Sequence, residues 1–270
     1  MPEGPEIRRA ADRLAEAVVG DRLVSAWFAF PALKRFEKRL AGAVVESITP
    51  HGKALLTRFD NGWTLYSHNQ LYGVWRIAEA GERPDTQRSL RVALETARKS
   101  ILLYSASDVA MWRSDELHAH PFLARLGPDV LDPALDAAAV EARLRDRRFS
   151  WRALGALLLD QAFLAGMGNY LRSEVLFAAH LLPERRPRDL EAGERSALAR
   201  ELLAVPRHSY ATRGIEHAGG MRADYLTDTP DAFRFLVFDR EGQPCPACGT
   251  RIRRQQAGSR RLYLCPSCQR

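Results

Sequence analysis

The chain has 270 residues, with 40 Lys plus Arg against 33 Asp plus Glu, giving a formal net charge of +7 and a pI of about 9.5. Its 46% hydrophobic and 27% charged residues are those of an ordinary globular protein, and 18 Gly and 15 Pro are too few for a low-complexity chain, so disordered, collagen-like and coiled-coil classes are excluded. No apolar run approaches the roughly 18 residues of a membrane span, and Met1 to Leu14 carries acids and arginines where a signal peptide has an apolar core, so a soluble, intracellular protein is expected.

The chain opens Met1-Pro2-Glu3-Gly4-Pro5-Glu6. A proline in second place permits removal of the initiator Met and would expose a secondary amine. An α-amino group titrates near pH 7.7 to 8.0, so part of it is an uncharged nucleophile at neutral pH, able to attack an electrophilic carbon and form a Schiff base. Glu3 and Glu6 lie close enough in sequence to move protons. Read on residue type alone, Glu6 equally suits the first turn of a helix, where a carboxylate favours the dipole. Pro5 to Val19 carries Ile7, Ala10, Ala11, Leu14 and Val18 at helical spacing and ends at Gly20, which predicts a first, amphipathic helix.

Strand-like runs follow at Val44 to Ile48, Lys53 to Phe59 and Trp63 to His68, the last two joined by the turn Asp60-Asn61-Gly62. Val74 to Ile77, Leu90 to Glu95 and Ser100 to Tyr104 continue the pattern. An antiparallel β-sandwich with a flanking helix is expected over residues 2–120. Pro121, Gly127-Pro128 and Asp132-Pro133 punctuate a linker over 121–133.

A helical domain is expected over 134–235, with helices at Ala137 to Arg145, Trp151 to Leu164, Tyr170 to Ala179 and Ala192 to Leu203, and a loop-like stretch over 205–233 that contains Gly219-Gly220 and Pro230. Ala165-Gly166-Met167-Gly168-Asn169 leads into the third of these helices. It reads either as an ordinary helix connection or as a place where a ligand, a phosphate above all, approaches backbone amides at a helix start.

All four cysteines lie in the last part of the chain, 236–270, as Cys245-Pro-Ala-Cys248 and Cys265-Pro-Ser-Cys268 with 16 residues between the pairs. This is the spacing of a four-thiolate zinc site. Disulfides and redox pairs lack their context, because no secretory signal precedes the cysteines and no thioredoxin-like pattern surrounds them. Thr250 to Arg254 and Arg261 to Leu264 read as strands of a hairpin with Gln255 to Arg260 at its tip. Residues 240–270 also hold seven arginines and one acid, against 33 bases and 32 acids in residues 1–239. A metal-stapled hairpin with arginines near its tip suits the gripping of phosphate. With almost no core of its own, it should take most of its folding energy from the metal.

Taken together, M-P-E-G-P-E at the start, H-G-K at 51–53, S-H-N-Q-L-Y-G at 67–73, D-Q-A-F-L-A-G-M-G-N-Y-L-R at 160–172 and the terminal C-x2-C pairs resemble the formamidopyrimidine-DNA glycosylase and endonuclease VIII family. The match runs through the whole chain in order. L-Y-S-H-N-Q-L-Y-G-V-W-R and the S-R-R-L-Y-L-C approach to the third cysteine resemble the bacterial endonuclease VIII branch.

The resemblance implies an α+β multidomain fold in which the β-sandwich is followed by a helix-two-turn-helix domain ending in a four-cysteine zinc-ribbon hairpin. Pro2 would be the nucleophile that attacks the sugar C1′, Glu3 the acid-base partner that opens the ring, and Glu6 a supporting carboxylate. Lys53 would contact phosphate and assist elimination. Arg260 would grip the phosphates beside the lesion and aid the last elimination, although the neighbouring Arg261 stands where relatives carry Pro. Gln70, Leu71 and Tyr72 match the residues inserted into the duplex when a damaged nucleotide is flipped out. Arg125 and Asn169 match DNA contacts, and Glu174 is expected to support the loop before Asn169.

The activity implied is that of a bifunctional DNA glycosylase and AP lyase acting as a monomer on oxidised pyrimidines or abasic sites in double-stranded DNA. One zinc, in Cys245, Cys248, Cys265 and Cys268, would be structural, no catalytic cofactor is expected, and no membrane is involved. The alternative is a non-catalytic zinc-ribbon DNA-binding or damage-sensing protein, against which Pro2, Glu3 and Lys53 argue.

Overall fold

The computed structural model describes residues 2–212, 214–216, 223–227, 229–258 and 260–270. They form two compact units: Pro2 with Ile7–Arg125, and Glu3–Glu6 with Leu126–Arg270. The zinc-ribbon region is part of the second unit.

In the first unit, α1 (Gly4–Val18) turns Ala11, Leu14 and Val18 into the core and stops at Gly20, whose φ of +86° continues no helix. Eight strands follow: β1 (Leu23–Phe28), β2 (Val45–His51), β3 (Ala54–Phe59), β4 (Trp63–His68), β5 (Val74–Glu79), β6 (Leu90–Thr96), β7 (Lys99–Tyr104) and β8 (Asp108–Arg113). They pair antiparallel in two four-stranded sheets, β1-β6-β7-β5 and β2-β3-β4-β8. Phe28, Val92, Leu94, Ile101 and Leu103 from one sheet share a core with Val45, Ile48, Leu55, Phe59 and Leu65 from the other, the interior of a β-sandwich.

Three of these elements are not predicted from the sequence. The alternation of β1 is masked because Val24 and Trp27 lie exposed and a register shift falls between Leu23 and Ser25. The first five residues of β8, Asp108 to Trp112, are each only partly buried, so β8 has no alternation to read. The short helix α2 (Lys34–Leu40) buries only Phe36 and Leu40.

The second unit is helical. α3 (Ala137–Arg145) is capped by Asp136, whose carboxylate accepts the Ala139 N–H at 2.8 Å. The helix predicted over Trp151 to Leu164 is not formed: α4 spans only Leu154–Leu157. Leu154, Leu157, Leu158, Phe163 and Leu164 are buried as their spacing suggests. Asp160 breaks the helix by accepting the Ala162 N–H on its own carboxylate at 2.8 Å while it pairs with Arg152.

α5 (Asn169–Ala178) follows, and then α6 (Ala192–Ala211), which opens on a reciprocal capping box between Glu191 and Glu194. α6 runs eight residues past its predicted end and through Pro206. Burial of Leu202, Leu203, Pro206 and Ser209 holds a turn that proline alone would end. The expected loop at 205–233 is therefore helical up to Ala211, and its Gly219-Gly220 lies outside the described residues. The chain ends in the hairpin β9 (Arg253–Ala257) and β10 (Arg260–Leu264). Leu262 and Leu264 of β10 are buried in one core with Leu171 and Val175 of α5 and Leu198 and Leu202 of α6.

Candidate functional site

Pro2 is buried, and so are Glu3 and Glu6. Glu3 reaches the start of α5, where Oε1 accepts the Tyr170 N–H at 2.9 Å and Oε2 accepts the Leu171 N–H at 3.2 Å. The first amides of a helix have no partner within it and lie at its positive end, so a carboxylate is a natural occupant. These are the amides that the sequence offered to a phosphate, and the protein's own Glu3 holds them. Glu6 completes the arrangement by accepting the Glu3 N–H at 2.9 Å and the Tyr170 hydroxyl at 3.0 Å, and that hydroxyl also meets Ser209 Oγ at 3.0 Å.

The loop before α5 makes this fit. Gly166, at φ +94°, accepts the Gly4 N–H on its carbonyl at 2.8 Å. At Gly168 a Cβ would lie 2.5 Å from Glu3 Cγ and closer still to its carboxyl group, so any side chain there has to push the Glu3 carboxylate aside. Gln161 ties the loop from within: its Oε1 accepts the Gly166 N–H at 3.1 Å and its Nε2 donates to the Met167 carbonyl at 2.9 Å.

Glu174 does not support this loop, contrary to expectation. Its carboxylate accepts the N–H groups of Leu236, Val237 and Phe238 at 2.9, 3.0 and 2.8 Å. Projecting from the next turn of α5, it faces the incoming 236–238 backbone and not its own N-terminal loop. Burial pushes its carboxyl group up, while the three amide donors favour the charged form.

In the first unit Lys53 precedes β3 and is 6% exposed, so it is no solvated strand-end charge. Its charge acts on His68 of β4, whose imidazole is lowered by burial first and also by Lys53, against Asp108. His68 Nδ1 accepts the Gln70 N–H at 3.0 Å, which fixes the base of the β4–β5 turn. Gln70 takes a left-handed φ of +50° and its Oε1 accepts the Ser107 hydroxyl at 2.8 Å; Arg88 donates to the Tyr72 carbonyl at 2.9 Å. Leu71 and Tyr72 are thereby held outward, 54% and 69% exposed on a fixed backbone. They present two adjacent large apolar side chains to solvent on one turn. Arg125 ends a 3-10 turn, exposed, with Nε donating to the Pro121 carbonyl at 2.9 Å.

The four cysteine sulfurs lie within 4.8 Å of one another, with Cys245 to Cys268 at 3.8 Å and Cys248 to Cys265 at 3.5 Å. Tetrahedral zinc with Zn–S bonds of about 2.3 Å separates its sulfurs by roughly 3.8 Å, so the set fits zinc. Gly249, at φ +75°, donates to the Cys245 carbonyl at 2.9 Å and closes the first thiolate turn. The hairpin strands reach further than expected, so Arg260 is not in the loop but opens β10 in the closing pair with Ala257, beside a turn that begins at Gly258 with φ +63°. Its exposed guanidinium makes no hydrogen bond or ion pair among the described residues.

Thus Glu3, Glu6 and the start of α5 come together within the second unit, and Lys53, His68 and the Gln70–Tyr72 turn within the first. Sequence reasoning missed His68, Gln161 and Arg172. All three stand inside the quoted motifs; Gln161, set ahead of the apolar Ala162, Phe163 and Leu164, carries a local signal, whereas His68 lies among the polar Ser67, Asn69 and Gln70 and Arg172 closes its motif as an ordinary helix arginine.

Three family profiles match the chain: "Formamidopyrimidine-DNA glycosylase N-terminal domain" over residues 1–107, "Formamidopyrimidine-DNA glycosylase H2TH domain" over 126–218, and "Zinc finger found in FPG and IleRS" over 242–270. A protein named Endonuclease 8 from Shigella sonnei (strain Ss046) is 53% identical over 273 residues, covering 100% of both chains. Among solved structures, the Lactococcus lactis Fpg (MutM) bound to DNA containing N7-benzyl-Fapy-dG superposes with a TM-score of 0.84 at 21% identity over 99% of each chain. The same protein with DNA containing an abasic site gives 0.84 at 20% identity, again over 99% of each chain. At that identity the structural likeness shows the fold.

Proposed function

The chain belongs to the formamidopyrimidine-DNA glycosylase and endonuclease VIII family, bifunctional DNA glycosylases and AP lyases of base excision repair, and from that premise we propose that it removes oxidised pyrimidines through an imine at Pro2 and nicks the strand by β,δ-elimination. The observation that carries the catalytic part is the buried Glu3, fixed by two helix amides next in the chain to the nucleophile.

Once Met1 is removed, the Pro2 nitrogen attacks C1′ of the flipped nucleotide and the bond from C1′ to the base breaks. Glu3 protonates the ring oxygen as the sugar opens, leaving an iminium between Pro2 and C1′. Loss of a C2′ proton expels the 3′ phosphate, loss of a C4′ proton then expels the 5′ phosphate, and water hydrolyses the iminium to free Pro2. Lys53 contacts phosphate and assists elimination, and Arg260 binds the flanking phosphates and aids the second departure. Glu6 holds the Glu3 backbone. Gln70, Leu71 and Tyr72 fill the space the flipped nucleotide leaves, while Arg125 and Asn169 bind the DNA backbone.

Cys245, Cys248, Cys265 and Cys268 hold one structural zinc. No described helix is long and apolar enough to cross a membrane. The protein acts as a cytoplasmic monomer on double-stranded DNA, at the nucleoid. Borohydride trapping on duplex DNA containing thymine glycol or an abasic site tests this: an adduct on Pro2 is expected, and no adduct with correctly processed protein would favour a non-catalytic damage sensor.

A further inference from the structure

Among the described residues of the second unit, one charged side chain has no exposed surface at all: Arg172, on the first turn of α5. Its Nη1 donates to the Gly155 carbonyl at 2.6 Å, and its Nη2 donates to the Arg261 carbonyl at 3.0 Å and to Asn169 Oδ1 at 2.6 Å. Nε has no partner among the described residues.

Such a group is a poor choice for stability alone. Burying a guanidinium costs several kcal/mol, and an apolar side chain of similar volume is often neutral or better. Burial lowers Arg172 to about 10, against the favourable charge of Glu3, and Arg260 adds to the lowering. What the planar fork supplies, and an apolar residue does not, is three donors in fixed directions. Two of them end on main-chain carbonyls, which cannot rotate away. The third ends on a side-chain amide that can.

We propose that Arg172 is a positioning residue that sets the orientation of the Asn169 amide. A guanidinium only donates, so the atom of Asn169 facing it is the oxygen, and this assignment does not depend on how the amide was placed. The NH2 group then points away from Arg172, and neither of its protons meets an acceptor among the described residues. A phosphate oxygen accepts and never donates, so an amide held this way presents its useful end before DNA arrives. An unrestrained amide presents either end and loses rotamer freedom on binding. The arrangement also links Asn169 to β10 through the Arg261 carbonyl, next to the residue Arg260. The inference rests on the reading of Asn169 as a phosphate ligand.

The test compares wild type, N169A, R172K and N169A/R172K for affinity toward a duplex carrying a tetrahydrofuran abasic-site analogue, with zinc content and melting temperature as checks of folding. Arg172→Lys keeps the buried charge and removes the fork. R172K should weaken binding about tenfold, comparably to N169A, and its effect should shrink below about threefold when Asn169 is already Ala. On a duplex carrying a true abasic site, the borohydride trapping rate of R172K at saturating DNA should stay within about threefold of wild type. Equal costs in both backgrounds, or no cost in either, overturn the proposal. An N169A variant that binds normally instead refutes the reading of Asn169.

The orienting contact is also measured without DNA or activity. In wild type, the Arg172 Nη protons should be resolved and slowly exchanging in nitrogen-15 spectra, with a cross-peak to the Asn169 amide protons, the latter assigned by their absence in N169A. This holds even if R172K fails to fold. An exchange-averaged Arg172 guanidinium in the intact protein contradicts the proposal.

Discussion

Glu3 Oε1 accepts the backbone N–H of Tyr170 at 2.9 Å, joining the third residue of the chain to the start of a helix 167 residues later. The second carboxylate oxygen takes Leu171 N–H, and Glu6 takes both the Glu3 N–H and the Tyr170 hydroxyl. A general acid or base must be held in one place relative to the group it serves. In the acid-base role proposed for Glu3, two backbone amides, which cannot rotate, provide that.

Gly168→Ala should therefore act on chemistry. Its Cβ would stand 2.5 Å from Glu3 Cγ and displaces the carboxylate from the helix start. Loss of a positioned acid-base group costs about 100-fold to 10,000-fold in rate. Single-turnover base release should fall by at least 100-fold, while affinity for the abasic-site analogue stays within about threefold. Unchanged base release would show that Glu3 moves aside without consequence.

Tyr170→Phe removes the hydroxyl shared by Glu6 and Ser209. Taking one partner from buried polar groups costs about 1–3 kcal/mol. Urea unfolding should report a loss in that range, and base release should slow about tenfold as Glu6 loosens its hold on the Glu3 backbone. A variant as stable and as fast as wild type would make that hydroxyl dispensable.

The first unit should weaken in mild acid. His68 Nδ1 accepts the Gln70 N–H, and His120 Nδ1 accepts the Phe122 N–H at 3.2 Å, so both imidazoles must be neutral at that nitrogen. Both are held below the usual imidazole value, by burial first; Asp108 opposes this in each, and Lys53 adds to it at His68. With a lowered folded pKa, the unfolded chain binds the proton first. The stabilisation is complete above the unfolded value of about 6.5 and is lost as pH falls through the folded value. Melting temperature should drop between pH 7 and 5, and the drop should shrink in H68N/H120N. An equal drop in that variant would place the effect elsewhere.

Zinc removal should reach beyond the hairpin. Leu262 and Leu264 are buried in the core formed with α5 and α6, and truncating such a leucine costs about 2–5 kcal/mol. After chelation, hydrogen exchange should accelerate in α5 and β10 and stay slow in β2, β3 and β4. Unaltered protection in α5 of the metal-free protein would show that the ribbon adds nothing to that core.

Much of this was legible in the sequence wherever chemistry is written in local spacing. The cysteine pairs specify their site because four thiolates at two C-x2-C turns have few other uses, and Trp63 to His68 is bounded by turn residues sharply enough to be read to the residue. What escaped depends on partners far along the chain. Periodicity favours a helix over Trp151 to Leu164, but it does not show that Asp160 will turn its carboxylate onto its own backbone. Lys53 reads as a solvated strand end until the fold buries it. Arg172 looks like any helix-surface arginine, since its acceptors lie at Gly155, Asn169 and Arg261. Nothing near Glu174 in the sequence shows that the backbone of residues 236–238 returns to it.

Every proposed step after base loss depends on Pro2 being the nucleophile. Borohydride reduction in the presence of a thymine-glycol duplex, followed by peptide mapping, identifies the atom that carries the sugar. A stable adduct on the nitrogen of Pro2, absent when Met1 is retained, is the predicted result. An adduct on Lys53 or any other amine, or none from protein lacking Met1, would contradict it.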